Sequence, residues 1–546
     1  MTTTIEQRGD RLSHRQIQIV FLGLMLGMLL AALDQTIVST ALPTIVGDLG
    51  GLTHLSWVVT AYLLASTAST PLYGKLGDLY GRKIIFQAAI VIFLAGSALS
   101  GLSQNMNELI AFRALQGLGA GGLMASALAI IGDVVAPRER GRYQGYMGGV
   151  FAFASVAGPL TGGFFTDHLS WRWVFYINLP IGALALVVTS IVLDLPFRRV
   201  QRRIDWLGAG LIVAAVTSIL LVTVWGGDQY AWGSPQILGL AAAGLVLLAL
   251  FILQERRAEE PILPPHLFAN GIFRVSLLLM FLVAIGLFGA LVYLPVFLQL
   301  ATGASATNSG LLLLPLMAGL LCTSIASGQL ITRTGHYKWS PLTGTFIMTI
   351  GLFLLSRMTI DTTRLTSGLY MLVLGFGLGG LMQVSVLATQ NAVDRRDLGT
   401  ATSAIGFFRN LGGAVGVAGF GAVFTNRLAH YLPQHLPASA LGRFNVKALQ
   451  GSPSTIHQLP PVLRDGIAQS FAQAIHVVYL VAVPVAALSF VVALFLKELP
   501  LRERANIGTN AEAQAPAQAI PVPGTGGDGD EGQGSAPSFE HASAPD

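Results

Sequence analysis

Gly74-Lys-Leu-Gly-Asp-Leu-Tyr-Gly-Arg-Lys83 runs without a break into Ile84-Ile-Phe-Gln-Ala-Ala-Ile-Val-Ile-Phe-Leu-Ala-Gly-Ser-Ala-Leu-Ser-Gly-Leu102. The first ten residues hold four charges and three glycines; the next 19 hold no charge. An uncharged apolar run of about 18 or more reads as a membrane-spanning helix, because about 20 residues cross the hydrocarbon core. Lys and Arg favour cytoplasmic loops. The stretch therefore reads as a short cationic turn at the inner surface that delivers a helix into lipid.

Working outward, the unit repeats. Apolar segments fall at 17–41, 55–74, 84–103, 108–133, 142–165, 173–195, 204–225, 235–255, 273–298, 309–332, 339–356, 367–390, 398–425 and 472–496, fourteen in all. With the N-terminus inside, 23 of the 32 Lys and Arg residues fall on the inner side, seven on the outer side and two, Arg113 and Arg409, within helices. A missed or extra helix would scramble that alternation. Composition agrees: 53% of the 546 residues are hydrophobic and 11% charged, against roughly a quarter charged in soluble domains. The 63 glycines suit close helix packing in lipid. The net charge of +5 is dispersed over short loops, so it is no nucleic-acid footprint. A single cysteine, Cys322, excludes an internal disulfide and the usual Cys/His metal patterns. Arg8, Arg11 and Arg15 before an apolar run superficially resemble a signal peptide. The run is too long for that and carries Asp34, so it reads as a retained first helix.

The organisation expected is all-α, integral to the membrane, with both termini cytoplasmic. Residues 1–16 form the N-terminus, 17–195 a six-helix bundle, 196–271 a linker with two inserted helices, and 272–498 a second six-helix bundle. A long outer loop, partly helical, covers 426–470. The tail 499–546 is rich in Ala, Pro, Gly and acid, and such composition leaves a chain disordered. A faint repeat supports the six, two and six division. Gly328-Gln-Leu-Ile-Thr-Arg-Thr-Gly335-His-Tyr-Lys338 again spaces two glycines seven apart at an inner turn, eight helices after Gly74 and Gly81. Repeated halves around a midplane site are a transporter signature.

Five stretches resemble the major facilitator superfamily. The Gly74–Lys83 loop is similar to its signature loop, and Arg113-Ala-Leu-Gln-Gly-Leu-Gly-Ala120 to its helix 4 motif. Gly158-Pro-Leu-Thr-Gly-Gly163 resembles its antiporter motif. Leu33-Asp-Gln-Thr-Ile-Val-Ser-Thr-Ala-Leu-Pro43 and Trp171-Arg-Trp-Val-Phe-Tyr-Ile-Asn-Leu-Pro-Ile-Gly182 resemble the fourteen-helix drug:proton antiporter branch. The resemblance covers roughly residues 15–500. One departure is that Val150 and Ala154 stand where the antiporter motif often has glycine, leaving Gly158, Gly162 and Gly163 for close packing.

The residues themselves indicate roles. Asp34 is the carboxylate well inside the first helix, about 25 Å along it from the cytoplasm. An ionised Asp near the bilayer centre costs about 2.5–3.5 kcal/mol, so a carboxylate exposed alternately to each side can carry a proton. Arg113 enters helix 4 from the outer end at similar depth, with Gln116 on its face, and the expectation is that Arg113 tunes the proton affinity of Asp34. The alternative is a structural pair. In the loop, Gly74, Asp78, Gly81, Arg82 and Lys83 read as a cytoplasmic gate, with Asp78 meeting a helix N-terminus of the other half and Arg82 an acid there. Thr332 stands in the second loop where Asp78 stands in the first, so gating should be asymmetric. The Gly158–Pro159 step bends its helix and frees a backbone acceptor. Arg409, Gln299, Gln383, Tyr62 and Tyr293, with Gln116, are candidates for the cavity wall, packing being the alternative for each.

The resemblance implies proton-coupled antiport that exports lipophilic, often cationic drugs or dyes across the plasma membrane by alternating access. Export of a dedicated metabolite, lipid or siderophore is the alternative; a non-transporting sensor and an enzyme fit less well. No cofactor is expected beyond the proton as coupling ion, and no P-loop is present. The expected partners are the bilayer and a small lipophilic substrate, with the chain acting as a monomer.

Overall fold

The computed structural model describes residues 14–49, 55–135, 137–193, 205–227, 229–300, 311–436 and 460–501. The N-terminal segment up to 13, residues 194–204, the outer-loop residues 437–459 and the tail from 502 onward lie outside the described residues. The helices are α1 His14–Leu49, α2 Leu55–Tyr80, α3 Arg82–Leu102, α4 Met106–Val134 and α5 Pro137–His168. There follow α6 Trp173–Val192, jointed at Ile177, then α7 Trp206–Trp225, α8 Pro235–Glu255 and α9 Gly271–Leu300. The last are α10 Leu314–Thr334, α11 Trp339–Ser356, α12 Arg364–Ala392, jointed at Gly380, α13 Leu398–His435 and α14 Pro461–Leu494.

Thirteen of these are long and apolar enough to cross a membrane. The fourteenth, α2, falls short on apolarity because Thr60, Ser66, Thr67, Ser69 and Thr70 run along it. All five are buried, and the helix packs closely on α4. Its polar stripe faces protein, where hydroxyls bond to carbonyls: Thr70 Oγ1 donates to Ser66 O at 2.6 Å.

Several helices outrun their apolar segments. The outer loop expected over 426–470 is helical at both ends, since α13 continues to His435 and α14 begins at Pro461. Hydropathy marks only the stretch in hydrocarbon, whereas a helix continues into water until a cap stops it. The caps are visible. Asn105 accepts from Glu108 N at 2.9 Å while Glu108 accepts from Gln104 N at 2.9 Å, a reciprocal box that starts α4. Ser234 caps α8 ahead of Pro235, a residue preorganised for the first helical position.

The helices of 14–193 pack mainly on one another, α4 against α2 and α3 and α1 against α5 and α6, around Leu24, Met28, Phe86, Phe93 and Leu123. Those of 271–494 enclose a second core around Leu279, Met348, Leu374, Phe471 and Tyr479. The inserted pair α7–α8 lies against α2 and α13. Large apolar residues such as Ile191 and Leu207 remain exposed, a cost in water that lipid removes. The two halves meet along α2–α13 and α5–α10. Hydrogen bonds between them include Thr400 to Asp78 and Gln390 to Leu128, toward the end the cation tally assigns to the cytoplasm, and Ser324 to Gly145, midway along α10.

Candidate functional site

The helix faces bring one polar cluster together inside the first bundle. Asp34 of α1 accepts from Arg113 Nη1 at 2.6 Å and Gln116 Nε2 at 2.8 Å, both on α4, and from Asn178 Nδ2 of α6 at 3.1 Å. Arg113 is satisfied in turn: Nη1 donates to Gln116 Oε1 at 2.7 Å and Nε to Val58 O at 3.2 Å. Its guanidinium lies 4.2 Å from the Tyr62 ring centroid, a cation–π contact. Asp34 is 0% and Arg113 1% exposed. Removing two charges from water costs several kcal/mol per ion, offset only when geometry and hydrogen bonds are near complete. Here the carboxylate takes three donors, from Arg113, Gln116 and Asn178.

Two expected cavity residues belong to this cluster instead. Gln116 and Tyr62 are 0% exposed, so neither reaches a substrate path here; the Tyr62 hydroxyl donates to Ala31 O at 3.3 Å. Asn178 was not singled out from sequence. Its Nδ2 also donates to Ser97 Oγ at 3.0 Å, and its Oδ1 is buried without a partner. The signal was there, since the Trp171–Gly182 stretch is anchored at its outer end as well. Trp171 Nε1 and Arg172 Nη1 both donate to Asp48 Oδ2, at 2.7 and 3.2 Å.

The Gly74–Lys83 loop closes one seam. Asp78 Oδ2 accepts from both Thr400 N and Thr400 Oγ1 at 3.0 Å, in the first turn of α13, where backbone N–H groups lack helical partners. A Cβ at Gly74 would strike Ser403 and the Gly399 carbonyl of α13. Arg82 pairs with Asp78, and with Asp133 at 2.8 Å. Asp133 is on α4, so the acid that meets Arg82 lies in its own half rather than in the opposite one. The helix-terminus contact across the seam is made by Asp78 alone. Lys83 Nζ donates to Ser190 O at 2.9 Å, an exposed contact within its own half. Gly81 adopts φ 99° between α2 and α3, a backbone position essentially restricted to glycine.

In α5, Gly158 and Gly162 face α1. A Cβ at Gly158 would overlap Thr36, and one at Gly162 would lie 2.8 Å from Ile37 O. Gly163 meets nothing within 4 Å, so the expected close packing there is absent; its position on the helix turns it away from α1. Thr36 Oγ1 donates to Ala154 O at 2.9 Å, close to the backbone that Pro159 deprives of a donor. The side chains of Pro159 and Gln299 lie outside the described residues. Tyr293 is buried and tilts on Phe424 with centroids 5.2 Å apart, so it belongs to the second core rather than a cavity wall. Gln383 sits beside Gly148 of α5 with Oε1 unpartnered, and Arg409 is partly exposed.

Comparison with known proteins finds the same architecture. The family model described as the Major Facilitator Superfamily matches residues 24–205 and 195–417. An uncharacterized MFS-type transporter of Mycobacterium tuberculosis (strain H37Rv) is 44% identical over 501 residues, covering 92% of this chain and 72% of that one. The multidrug transporter protein MdtP of Bacillus subtilis (strain 168) is 39% identical over 510 residues, covering 89% and 94%. Among solved structures, the proton:xylose symporter XylE superposes with a TM-score of 0.57 at 14% identity, covering 86% of this chain and 95% of that one.

Proposed function

The chain belongs to the major facilitator superfamily, a multi-pass membrane transporter and not an enzyme, and on that premise we propose that it exports lipophilic small molecules across the plasma membrane in exchange for protons. The observation that carries the reading is Asp34. It is the one carboxylate of the described helices more than two turns from a helix end, and every partner it has is a donor. It acts without a cofactor, and one chain holds the whole site.

Asp34 is sealed in this state, so a proton reaches it only when the outer ends of α1, α4 and α6 part. Protonation removes the charge that holds Arg113. The new O–H needs an acceptor, and the unpartnered Asn178 Oδ1 supplies one when the amide rotates. Arg113 is then released toward Gln116 and Val58 O. Loss of the ion pair lets α1 move against α4 and α6. Since Gly158 and Gly162 hold α5 against α1, the shift passes to α5, which lines the α5–α10 seam. Rearrangement of the cytoplasmic closure then admits substrate and returns the proton inside.

The relative MdtP, named a multidrug transporter, supports drug-like substrates. The test is reconstitution into vesicles with an imposed pH gradient, following lipophilic fluorescent compounds with native and Asp34→Asn protein. Gradient-driven transport should fall more than about tenfold in the variant, the scale of one lost charge-assisted interaction. Equal transport by both proteins sinks the proton-carrier role.

A further inference from the structure

The charge inventory of the second half points beyond that reading. In the stretches 275–300, 311–332, 339–356, 365–392, 398–426 and 466–494, one charged side chain stands: Arg409. Among the described residues no carboxylate lies within 4.0 Å of it. Its hydrogen bonds go to its sequence neighbour Asn410 Oδ1, both at 3.4 Å. A cation kept in a membrane-spanning helix without a counter-ion is costly and marks a functional path.

Its direction follows from the residues below it. Gln390 Nε2 of α12 donates to Thr402 Oγ1 of α13 at 3.2 Å and to Leu128 O of α4 at 3.1 Å. These three helices thus join at the cytoplasmic closure, and that contact forms a floor. Arg409 is seven residues beyond Thr402, two turns or about 10.5 Å outward on the same helix face. Gln383 is seven residues before Gln390 on the antiparallel α12, so it makes the same outward step. Arg409 is partly exposed, and Gly406, one turn below, faces Thr70 of α2, so this side of α13 is turned toward the first half. The cation therefore stands just above the floor, on the side of α13 turned toward the first half.

The first half offers no opposing charge there, because Asp34 is neutralised by Arg113 and sealed from solvent. A cationic substrate reaching Arg409 finds no carboxylate. We infer that Arg409 is a substrate-binding residue, and that the transported molecules carry an anionic oxygen group, a carboxylate or its equivalent, on a lipophilic body. Gln383, with an unpartnered amide oxygen, lies against Gly148 of α5 and is not part of the Arg409 site. The Arg409 assignment reverses the cationic preference expected from the family resemblance and rests on the export reading for its direction only.

The test uses three probes with one ring system: pyrenebutyrate, its methyl ester and the corresponding butyltrimethylammonium. Binding is read by fluorescence anisotropy on the full chain in nanodiscs, with no gradient. Native protein should bind pyrenebutyrate roughly tenfold or more tighter than the ester, the scale of one charge-assisted contact. Arg409→Gln should bring that ratio to about one; Arg409→Lys should retain part of it. Equal affinities in native protein, tighter binding of the ammonium, binding of none, or a ratio that survives Arg409→Gln each overturn the assignment. An unchanged thermal unfolding midpoint in detergent shows that the Gln variant is folded. Transport under a pH gradient is measured separately. Binding preference without gradient-driven movement sinks the export reading and leaves the Arg409 site standing.

Discussion

Two turns at the same end of the molecule share a backbone and differ in chemistry. In the α2–α3 turn, Gly74 meets Gly399 and Ser403 across the seam, and Gly81 has φ 99°. In the α10–α11 turn, Gly328 meets the Gly141 backbone of α5 across the opposite seam, and Gly335 has φ 75°. The first glycine of each pair lets two helices touch without side chains between them; the second lets the chain reverse. Around that common frame, the first turn carries charge across the seam. Asp78 holds Thr400, Arg82 joins Asp78 to Asp133, and Lys75 reaches Glu260 at 2.7 Å. The second turn is tied inward. Thr332 Oγ1 donates to Gly328 O at 2.9 Å, and Glu498 accepts from Tyr337 N and Lys338 N at 2.5 and 3.1 Å, all within its own half. One seam is latched by the Asp78 carboxylate, the other held by packing and the neutral Ser324–Gly145 hydrogen bond, so the charged latch can be broken on one side alone.

Asp78→Ala is the strongest way to break that contrast. It removes both bonds to Thr400 and leaves the buried Arg82 with Asp133 only. Breaking a buried ionic contact costs about 3–5 kcal/mol. In a Cys322→Ser background, spin labels at Tyr80 and Arg396, both exposed, should report a longer distance. Thr332→Ala should move labels across the other seam little, since a neutral hydrogen bond contributes about 0.5–1.5 kcal/mol. An unchanged distance in the Asp78 variant removes the latch from the first seam.

The two reversing glycines sharpen the comparison next. Gly335, at φ 75° and ψ −5°, is in the left-handed region with open space around it; Asn visits that region readily. Gly81, at φ 99° and ψ 135°, is not. Ala at 81 should cost about 1–3 kcal/mol and Ala at 335 about 1–2. Asn should be tolerated at 335 and not at 81. Thermal unfolding in detergent reads the order, and equal losses for the two Asn variants contradict it.

A gain-of-contact variant tests whether charge is what the second seam lacks. Thr332 shares a surface groove with Arg142 of α5. Thr332→Asp places an acid facing that cation across the seam. A partly exposed ion pair contributes about 0.2–1 kcal/mol, so the label distance across α5–α10 should narrow in distribution and transport should slow. A broader distribution means the added charge is repelled or solvated instead.

Sequence made the frame legible because its signals are local. Apolar length located the helices, cations oriented them, and glycine spacing paired the turns. The Asp34–Arg113 contact was also within reach, since depth along two helices can be counted. What escaped depended on rotation about a helix axis, which counting does not fix. Asp133 is separated from Arg82 by 51 residues and lies on the α4 face turned toward it. Tyr62 turned inward beneath Arg113 rather than toward a cavity. Gly163 is adjacent to Gly162, yet a helix rotates each residue by about 100°, enough to carry it off the α1 contact. The acceptor left open on Asn178 emerges only when all its neighbours are placed.

The smallest effect concerns the clamp that replaces the latch on the second turn. Glu498 lies past the end of α14, 28% exposed at its side chain. Burial pushes its carboxyl up, but the N–H groups of Lys338 and Tyr337, with His336 beside it, outweigh burial and hold it below the ordinary glutamate range. A group with a depressed folded value contributes stability that is fully present above its unfolded pKa, about 4.3, and is lost as pH falls through the folded one. Glu498→Gln keeps an acceptor and removes the charge, so the loss should be roughly 0.5 kcal/mol at neutral pH, as for a partly exposed charge. Unfolding midpoints of native and variant protein should differ by a constant small amount from pH 7 down to the ordinary glutamate range. Below it they should converge, because the native carboxyl becomes neutral as well. A gap that widens on acidification reverses the sign and shows the clamp to be strained rather than stabilising.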